Sequence, residues 1–267
     1  MPALRATSKL IAFALLVMAI IPTQSLLLLF KLDRAASRWG QLWHRAVCRV
    51  LQVNVEVEGR PIADAHAAYV GNHLSYLDIP VLGSVVCGSF TAKREMCGWP
   101  LFGLLAQLQR TVFISRERRD ATRVMGQVDA LLDSRRNLIV FPEGTSSPGM
   151  RVLPFKSSVF SVLQTHLDNG LLIQPFTIDL RAVDGRTAIS VADRDQYAYY
   201  GDMTLAPHFW AFMRGKGARV RLIFHAPLTS AEAGDRKRMA AAAHARVASG
   251  LERSRVGDVA NDQFEGG

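Results

Sequence analysis

The segment Gly71-Asn72-His73-Leu74-Ser75-Tyr76-Leu77-Asp78 carries the side-chain pair best suited to proton transfer. It follows the apolar run AAYV, so we expect His73 where a strand ends and a helix begins, at the sheet edge where α/β proteins place their sites. A carboxylate at Asp78 can bind one imidazole nitrogen and leave the other free to accept a proton. The pair is a candidate general base with its orienting group. The alternative is a helix-capping histidine and a solvent-facing aspartate.

A second strand exit, Phe141-Pro142-Glu143-Gly144-Thr145-Ser146-Ser147, follows the apolar run NLIV. The Glu143 carboxylate and the hydroxyls that follow are suited to holding a substrate hydroxyl, and the backbone N–H groups near Gly144 can bind an anion. Taken alone, the segment is equally well an ordinary strand-to-loop exit.

Three cations follow other predicted strands or loops. Arg116 comes directly after the run TVFIS, where a guanidinium can be directed at a phosphate from the same sheet edge. Lys156 lies in LPFKSS and Lys93 in FTAKRE. Arg118 and Arg119 are expected on a solvated helix start.

Motifs that the sequence lacks narrow the reaction class. There is no G-x-S-x-G nucleophile elbow, no Walker A motif and no G-x-G-x-x-G. The histidines are dispersed without H-E-x-x-H, and the three cysteines form no C-x-x-C. We therefore expect no metal site, no cofactor and no serine hydrolase.

The elements that position these residues belong to an α/β protein. The 267 residues are 49% hydrophobic and 21% charged, which excludes a mostly disordered chain. Short β-rich runs, TAISVA among them, alternate with helical ones and predict a mixed, largely parallel sheet flanked by helices. We place this domain at residues 53–250 and a flexible tail at 251–267.

Residues 1–52 are predicted to be a transmembrane or interfacial helical segment. Residues 10–30 carry no charge and are long enough to span a bilayer, although Pro22 can break the helix into two pieces lying in one leaflet. A signal peptide is the competing interpretation. Residues 39–51 form an amphipathic helix, either at the membrane interface or packed on the domain core.

The charge balance indicates an anionic partner. The sequence has 32 Lys and Arg against 23 Asp and Glu, a formal net charge of +9. A phosphate-bearing substrate or a membrane surface fits this excess better than nucleic acid, because no nucleic-acid-binding signature is present.

Taken in order, these motifs resemble the lysophospholipid acyltransferase family, the PlsC-type glycerolipid acyltransferases. The resemblance runs from the N-terminal apolar segment to about Phe176. It rests on blocks that match the family's N-H-x4-D, arginine-strand, F-P-E-G-T and late V-P-V-like motifs: Asn72-His73…Asp78, Thr111 to Arg116, Phe141 to Thr145 and Ile173 to Phe176. Lys93 and Lys156 also fall where the family has similar stretches.

The resemblance implies an O-acyltransferase that moves a fatty acyl chain from acyl-CoA or acyl-carrier protein to the free hydroxyl of a lysophospholipid in the membrane. His73 would be the base, oriented by Asp78, with backbone donors near the helix start stabilising the oxyanion. Glu143, Gly144 and Thr145 would position the acceptor. Arg116 and Lys156 would hold its phosphate. We expect the enzyme at the inner (cytoplasmic) membrane, with its catalytic domain on the cytoplasmic side.

Two positions depart from the family pattern: Ser146 stands where many members have Arg, and Arg110 where many have Gly. The breadth of the family favours 1-acyl-glycerol 3-phosphate as acceptor, giving phosphatidic acid. The missing arginine keeps a lyso-ornithine lipid acceptor open. A non-catalytic lipid-binding membrane protein and a thioesterase are the rivals from other classes.

Overall fold

The computed structural model describes residues 2–62, 66–114, 121–229 and 231–262. Its helices are α1 (Pro2–Leu29), α2 (Asp33–Leu51), α3 (Asp78–Val85), α4 (Phe102–Leu108), α5 (Ala121–Asp133), α6 (Ser157–Gln164), α7 (Val191–Arg194), α8 (Leu205–Arg214) and α9 (Arg236–Asp262). Its strands are β1 (Val53–Glu58), β2 (Ala67–Gly71), β3 (Ser89–Lys93), β4 (Val112–Ile114), β5 (Leu138–Val140), β6 (Leu172–Val183), β7 (Arg186–Thr187) and β8 (Ala218–Phe224).

The strands form one mixed sheet in the order β1-β8-β6-β2-β5-β3-β4, with β7 paired to β6. Strands β6, β2, β5, β3 and β4 are parallel, whereas β8 runs antiparallel to β6 and carries β1 parallel to itself. The mixed, largely parallel sheet predicted from the sequence is confirmed. Because β2 and β5 are parallel neighbours, the two chemically promising strand exits leave the same sheet edge side by side.

Both faces of the sheet are covered. Along β2, Tyr69 packs on the side of α2, α3 and α8, whereas Ala68 and Val70 pack on the side of α5, α6 and α9. All residues of β2 are buried. Apolar side chains on both faces are typical of a central parallel strand. Because β2 is packed on both sides, the residues at its two ends have fixed positions.

The N-terminal helices form a hairpin that packs on the domain. Helix α1 continues through Pro22, so the helix is not divided into two pieces at this residue. It buries a stripe at helical spacing: Ala6, Lys9, Phe13, Val17, Ile20 and Gln24. The Lys9 ammonium donates to the carbonyls of Leu51 and Gly215. Within the described ranges, α1 alone is long and apolar enough to cross a membrane.

Helix α2 uses its tryptophans to hold α1. The Trp43 indole donates to the Leu16 carbonyl at 3.1 Å, and the Trp39 indole donates to the Thr23 hydroxyl at 2.7 Å. His44 is buried against Gly83 of α3. Helix α2 therefore packs one face on the protein through His44, Val47 and Leu51, and its placement at a membrane interface stays a prediction.

Two predicted elements differ from the structure. The run TAISVA is not a strand: β7 ends at Thr187, and Ser190 and Asp193 form a reciprocal capping box that starts α7. The predicted tail boundary falls inside α9, where Leu251 and Ser254 are buried. The Ser254 hydroxyl donates to Asp179 at 2.7 Å, and this contact with the sheet carries the helix past Gly250.

Candidate active site

The exit of β2 is fixed by two residues before His73. Asn72 is buried and exchanges two hydrogen bonds with the backbone of Ile178, at 2.8 and 2.9 Å. A Cβ at Gly71 would lie 2.4 Å from the Phe176 carbonyl oxygen, so only glycine permits this close approach of β2 to β6. His73 therefore leaves the sheet at a defined point.

Asp78 is fully buried and orients the His73 ring. Its Oδ2 atom lies 2.8 Å from His73 Nδ1 and also accepts the backbone N–H groups of Leu74 at 2.7 Å and Ser75 at 2.9 Å. We assign the Nδ1–H tautomer because Oδ2 acts as an acceptor in all three contacts. The Nε2 lone pair of His73 is then free to accept a proton.

The ring of His73 is held and yet reachable. Phe141 stacks on it with the ring centroids 4.0 Å apart and the planes at 13°. The side chain of His73 is 22% exposed while that of Asp78 is 0% exposed. An exposed base on a buried, hydrogen-bonded carboxylate is the arrangement that general-base catalysis requires.

Tyr197, which we did not single out from the sequence, completes the carboxylate's contacts. Its hydroxyl donates to Asp78 Oδ1 at 3.0 Å from a fully buried position before α8. Burial and the Asp78 carboxylate raise the pKa of Tyr197 well above its usual value. The phenol therefore stays protonated and keeps donating. The run YAYY gives no sequence signal for this role. Tyr197 lies 119 residues after Asp78 in the chain, and only the fold brings the two side chains into contact.

We expect Tyr197→Phe to lower kcat about tenfold and to leave the acceptor KM within about twofold. The change removes one donor to a charged acceptor, worth about 1.5–3 kcal/mol, while three other donors keep Asp78 in place. Steady-state kinetics on the purified variant check this. An unchanged kcat would mean that Tyr197 only fills space.

Glu143 connects the two strand exits. Its Oε2 atom accepts the backbone N–H of His73 at 3.1 Å, and its Oε1 atom accepts that of Leu153 at 2.8 Å. Burial raises the pKa of Glu143 to about 7, although the two backbone hydrogen bonds lower it. Each carboxylate oxygen is thus engaged by the protein's own backbone, and the predicted contact of Glu143 with an acceptor hydroxyl stays a prediction.

The loop after Glu143 lies beside the dyad. Gly144 has a φ of +68°, and a Cβ there would lie 2.3 Å from Lys156 Nζ, so the Lys156 ammonium sits against this glycine. Thr145 is exposed. The Ser146 hydroxyl donates to the Tyr199 carbonyl, and Ser147 N–H donates to the His73 carbonyl at 3.0 Å. Gly144 and Lys156 thus lie against each other in the loop that leaves Glu143, and the predicted substrate-binding roles of Gly144, Thr145 and Lys156 stay predictions.

The other two predicted cations are not part of this cluster as described. Lys93 ends β3 at the same sheet edge and is exposed, but β5 separates β3 from β2. Arg116 lies outside the described residues, which break off after Ile114 at the end of β4. Their predicted roles stay predictions.

Two backbone donors that precede the helix start are engaged within the protein. The backbone N–H groups of Leu74 and Ser75 both bind Asp78. The predicted role of backbone donors near the helix start in stabilising the oxyanion stays a prediction. Among the described residues, no three His, Cys, Asp or Glu side chains form a group able to hold a metal ion.

Comparison with known proteins identifies the family. A lyso-ornithine lipid O-acyltransferase of Rhodobacter capsulatus is 35% identical over 224 residues, covering 81% of this chain and 79% of the relative. The Brucella abortus protein of the same name is 32% identical over 251 residues, covering 92% and 93%. The chain belongs to the lysophospholipid acyltransferase family. It is an acyltransferase, as its motifs predicted.

Other similarities agree with this membership. The family model named Acyltransferase matches residues 54–179, a range that contains both strand exits. A 1-acyl-sn-glycerol-3-phosphate acyltransferase of Neisseria meningitidis is 34% identical over 196 residues, covering 72% of each chain. The fold resembles the crystal structure of the acyltransferase PlsC from Thermotoga maritima, with a TM-score of 0.68, 20% identity and coverage of 96% and 98%. The predicted fold and enzyme class are confirmed.

Proposed function

We propose that this acyltransferase moves a fatty acyl chain from a thioester donor to the hydroxyl of lyso-ornithine lipid. The observation that carries the chemistry is the free Nε2 of His73 on a ring that Asp78 fixes. The acceptor rests on Ser146 and on the relatives named lyso-ornithine lipid O-acyltransferase, which are aligned over the larger share of the chain. The donor is acyl-CoA or acyl-carrier protein, and the excess of basic residues favours the acidic carrier protein.

The reaction needs one proton carrier. His73 Nε2 takes the proton of the acceptor hydroxyl as that oxygen attacks the thioester carbonyl carbon. The tetrahedral intermediate then breaks its C–S bond, and the leaving thiolate receives the proton back from His73. Thioesters are already activated, so no acyl-enzyme is required. Asp78 stabilises the imidazolium between the two steps.

Ser146 makes the acceptor side of the site less basic than the family pattern. Its hydroxyl binds the Tyr199 carbonyl, in the place where many members present a guanidinium. A phosphate monoester carries up to two charges and is best held by guanidinium forks. The headgroup of lyso-ornithine lipid carries one carboxylate and one ammonium, and the Lys156 ammonium at Gly144 suffices to pair with the carboxylate.

The test compares two acceptors on one enzyme. We expect the wild type to acylate lyso-ornithine lipid, and we expect Ser146→Arg to lower that activity about tenfold by adding an unpaired cation. Thr165→Arg, which adds the same charge at the exposed end of α6, should change the activity by less than about twofold. Wild-type enzyme that ignores lyso-ornithine lipid but acylates 1-acyl-glycerol 3-phosphate would contradict this acceptor.

1-Acyl-glycerol 3-phosphate is the second candidate acceptor. The Neisseria meningitidis relative supports it at nearly the same identity. In that case Arg116 and Lys156 hold the phosphate, and Ser146→Arg is tolerated or raises activity. The effect of this one substitution therefore has opposite signs for the two acceptors.

We also propose that the α1–α2 hairpin attaches the enzyme to the inner membrane, with the catalytic domain on the cytoplasmic side. Opposite its buried stripe, α1 exposes large apolar side chains to the surroundings: Leu4, Leu10, Ile11, Leu15, Met18, Leu26 and Leu29. A contiguous apolar surface of this kind is typical of a membrane-binding face.

Replacing Ile11, Leu15 and Met18 by serine should lower the vesicle partition coefficient at least about a hundredfold. Each of these side chains is more than half exposed, and burying one in lipid is worth about 1.5–3 kcal/mol. Vesicle sedimentation over a lipid dilution series measures the effect. The control triple Val57→Ser, Met125→Ser and Ile189→Ser removes exposed apolar groups elsewhere and should stay near wild type. Equal losses in both triples would remove this face from the membrane contact.

A further inference from the structure

A cavity lies at the sheet edge opposite His73. It has a volume of about 450 Å³ and is bounded by the α1–α2 hairpin and by His66, Ser89 and Asn137 at the amino ends of β2, β3 and β5. His73 follows the carboxyl end of β2, so the length of that strand, roughly 15 Å, separates the cavity from the dyad. The cavity is therefore not part of the transferase site.

The cavity wall is strongly basic. Four arginines line it: Arg34, Arg110, Arg135 and Arg136. Asp33 pairs with two of them, Arg110 at 2.6 Å and Arg136 at 2.7 Å. Within the part of the chain that the structure describes, Arg34 and Arg135 have no carboxylate partner. Asp33, and Asp133 whose charge acts on His66, face four guanidiniums, which leaves a local excess of positive charge that an anion would neutralise.

Three side chains that line the cavity each carry a buried polar atom with no partner within the described residues: Gln24 Oε1, His44 Nδ1 and His66 Nε2. All three side chains are at most 6% exposed. A buried polar group without a partner destabilises the fold, so three of them around one cavity point to an occupant that bears hydrogen-bonding atoms.

The chemistry of two of these atoms is defined. The Gln109 amide donates to His44 Nε2, so in the neutral ring Nδ1 carries the proton and is an unused donor. Burial lowers the pKa of His44 to about 3, which keeps the ring neutral. The Gln24 amide donates to the Leu108 carbonyl, which leaves its Oε1 atom as an unused acceptor. The occupant must both accept and donate hydrogen bonds.

The cavity mouth lies beside the apolar turn of the hairpin. Leu28 and Arg34 line the cavity, and between them Leu29, Phe30 and Leu32 are each more than half exposed. If this turn enters the lipid, the arginines lie at the depth of the headgroup phosphates.

We propose that this cavity binds the phosphate headgroup of a membrane lipid that also carries a free hydroxyl. Arg34, Arg135 and the His44 Nδ1–H group bind the phosphate oxygens, and the lipid hydroxyl donates to Gln24 Oε1. A cavity of this volume accommodates such a headgroup. The proposal does not depend on which acceptor the transferase uses, and it gives the hairpin a lipid-specific contact.

The experiment measures binding of the full-length enzyme to vesicles of phosphatidylcholine, with and without phosphatidylglycerol. We expect the preference of the wild type for phosphatidylglycerol to fall at least about tenfold in the double variant Arg34→Gln, Arg135→Gln. The control Arg186→Gln, Arg236→Gln removes the same charge from exposed positions outside the cavity and should lose less than about threefold. Equal losses in the two double variants would mean nonspecific charge attraction and would overturn the site.

A charge-neutral variant separates the site from general electrostatics. Gln24→Met keeps the side-chain volume and the net charge but removes the acceptor for the lipid hydroxyl. We expect it to lower the phosphatidylglycerol preference about tenfold. No change in this variant would refute the assignment of Gln24.

Soluble phosphates distinguish the source of the headgroup. The detergent-purified enzyme is titrated calorimetrically with glycerol 3-phosphate and with inorganic phosphate. We expect that neither soluble phosphate binds in a way that depends on Arg34 and Arg135. Binding of a soluble phosphate that depends on these arginines, without a vesicle preference, would assign the cavity to a soluble ligand and overturn the lipid proposal. The absence of both kinds of binding would mean that water alone fills the cavity.

Discussion

Replacing His73 by alanine is expected to lower acyl transfer by about 10²–10⁴-fold without changing the fold. The reason is that Nε2 of this ring is the only proton acceptor that we assign to the reaction, and a positioned general base contributes about that factor. The His73 ring is 22% exposed and lies after the end of β2, so its loss leaves the sheet intact. Transfer is measured with labelled acyl donor and purified enzyme, and the fold is checked by circular dichroism.

The chain offers a matched control for this variant. His166 Nε2 lies 2.9 Å from Asp129 Oδ1, which is another imidazole–carboxylate pair of similar length on the other face of the sheet. His166→Ala should leave kcat within about threefold. Similar losses in His73→Ala and His166→Ala would indicate damage to folding rather than to catalysis.

Replacing Asp78 by asparagine is expected to be almost as harmful, with a loss in kcat of about 10²–10⁴-fold. The neutral amide carries no charge to stabilise the imidazolium, and an NH₂ group in the place of Oδ2 cannot accept from His73 Nδ1–H, so the ring is free to take the wrong tautomer. The buried amide NH₂ also faces the backbone N–H groups of Leu74 and Ser75, which leaves donors opposed to a donor.

The kinetic pattern identifies the role of Asp78. We expect kcat and kcat/KM to fall together, because the interaction is made with the charged imidazolium of the transition state rather than with substrate. Asp129→Asn, the matched change in the second pair, should retain near wild-type kinetics. A variant Asp78→Asn with a raised KM and an unchanged kcat would place Asp78 in substrate binding instead.

The sequence predicted the part of this site that depends on strand exits. A histidine and a glutamate that each follow an apolar strand were expected at one sheet edge, and the parallel pairing of β2 with β5 brings them together. The five-residue spacing from His73 to Asp78 also predicted the hydrogen bond that is observed at 2.8 Å. The strand exits and the spacing from His73 to Asp78 are local features of the sequence, so they could be predicted without knowledge of the fold.

Features that depend on distant parts of the chain were missed. Tyr197 reaches Asp78, and Asn72 binds Ile178, only because the sheet order places those segments next to β2. The hydrogen bond from Leu153 N–H to the Glu143 carboxylate, ten residues apart along the chain, was not foreseen either. The charged residues after Gly250 predicted a flexible tail. Leu251 and Ser254 are nevertheless buried, because this part of α9 packs on the sheet.

The measurement closest to the central claim is thiol release from an acyl thioester, with and without lysolipid, by the purified wild-type enzyme. Acyl transfer through His73 without an acyl-enzyme predicts that thiol appears only when lysolipid is present, in equal amount to the O-acylated lipid, and that no acyl group is found on the protein after rapid quenching. Thiol release at the same rate without lysolipid, or a burst of thiol matched by acylated protein, would contradict this account.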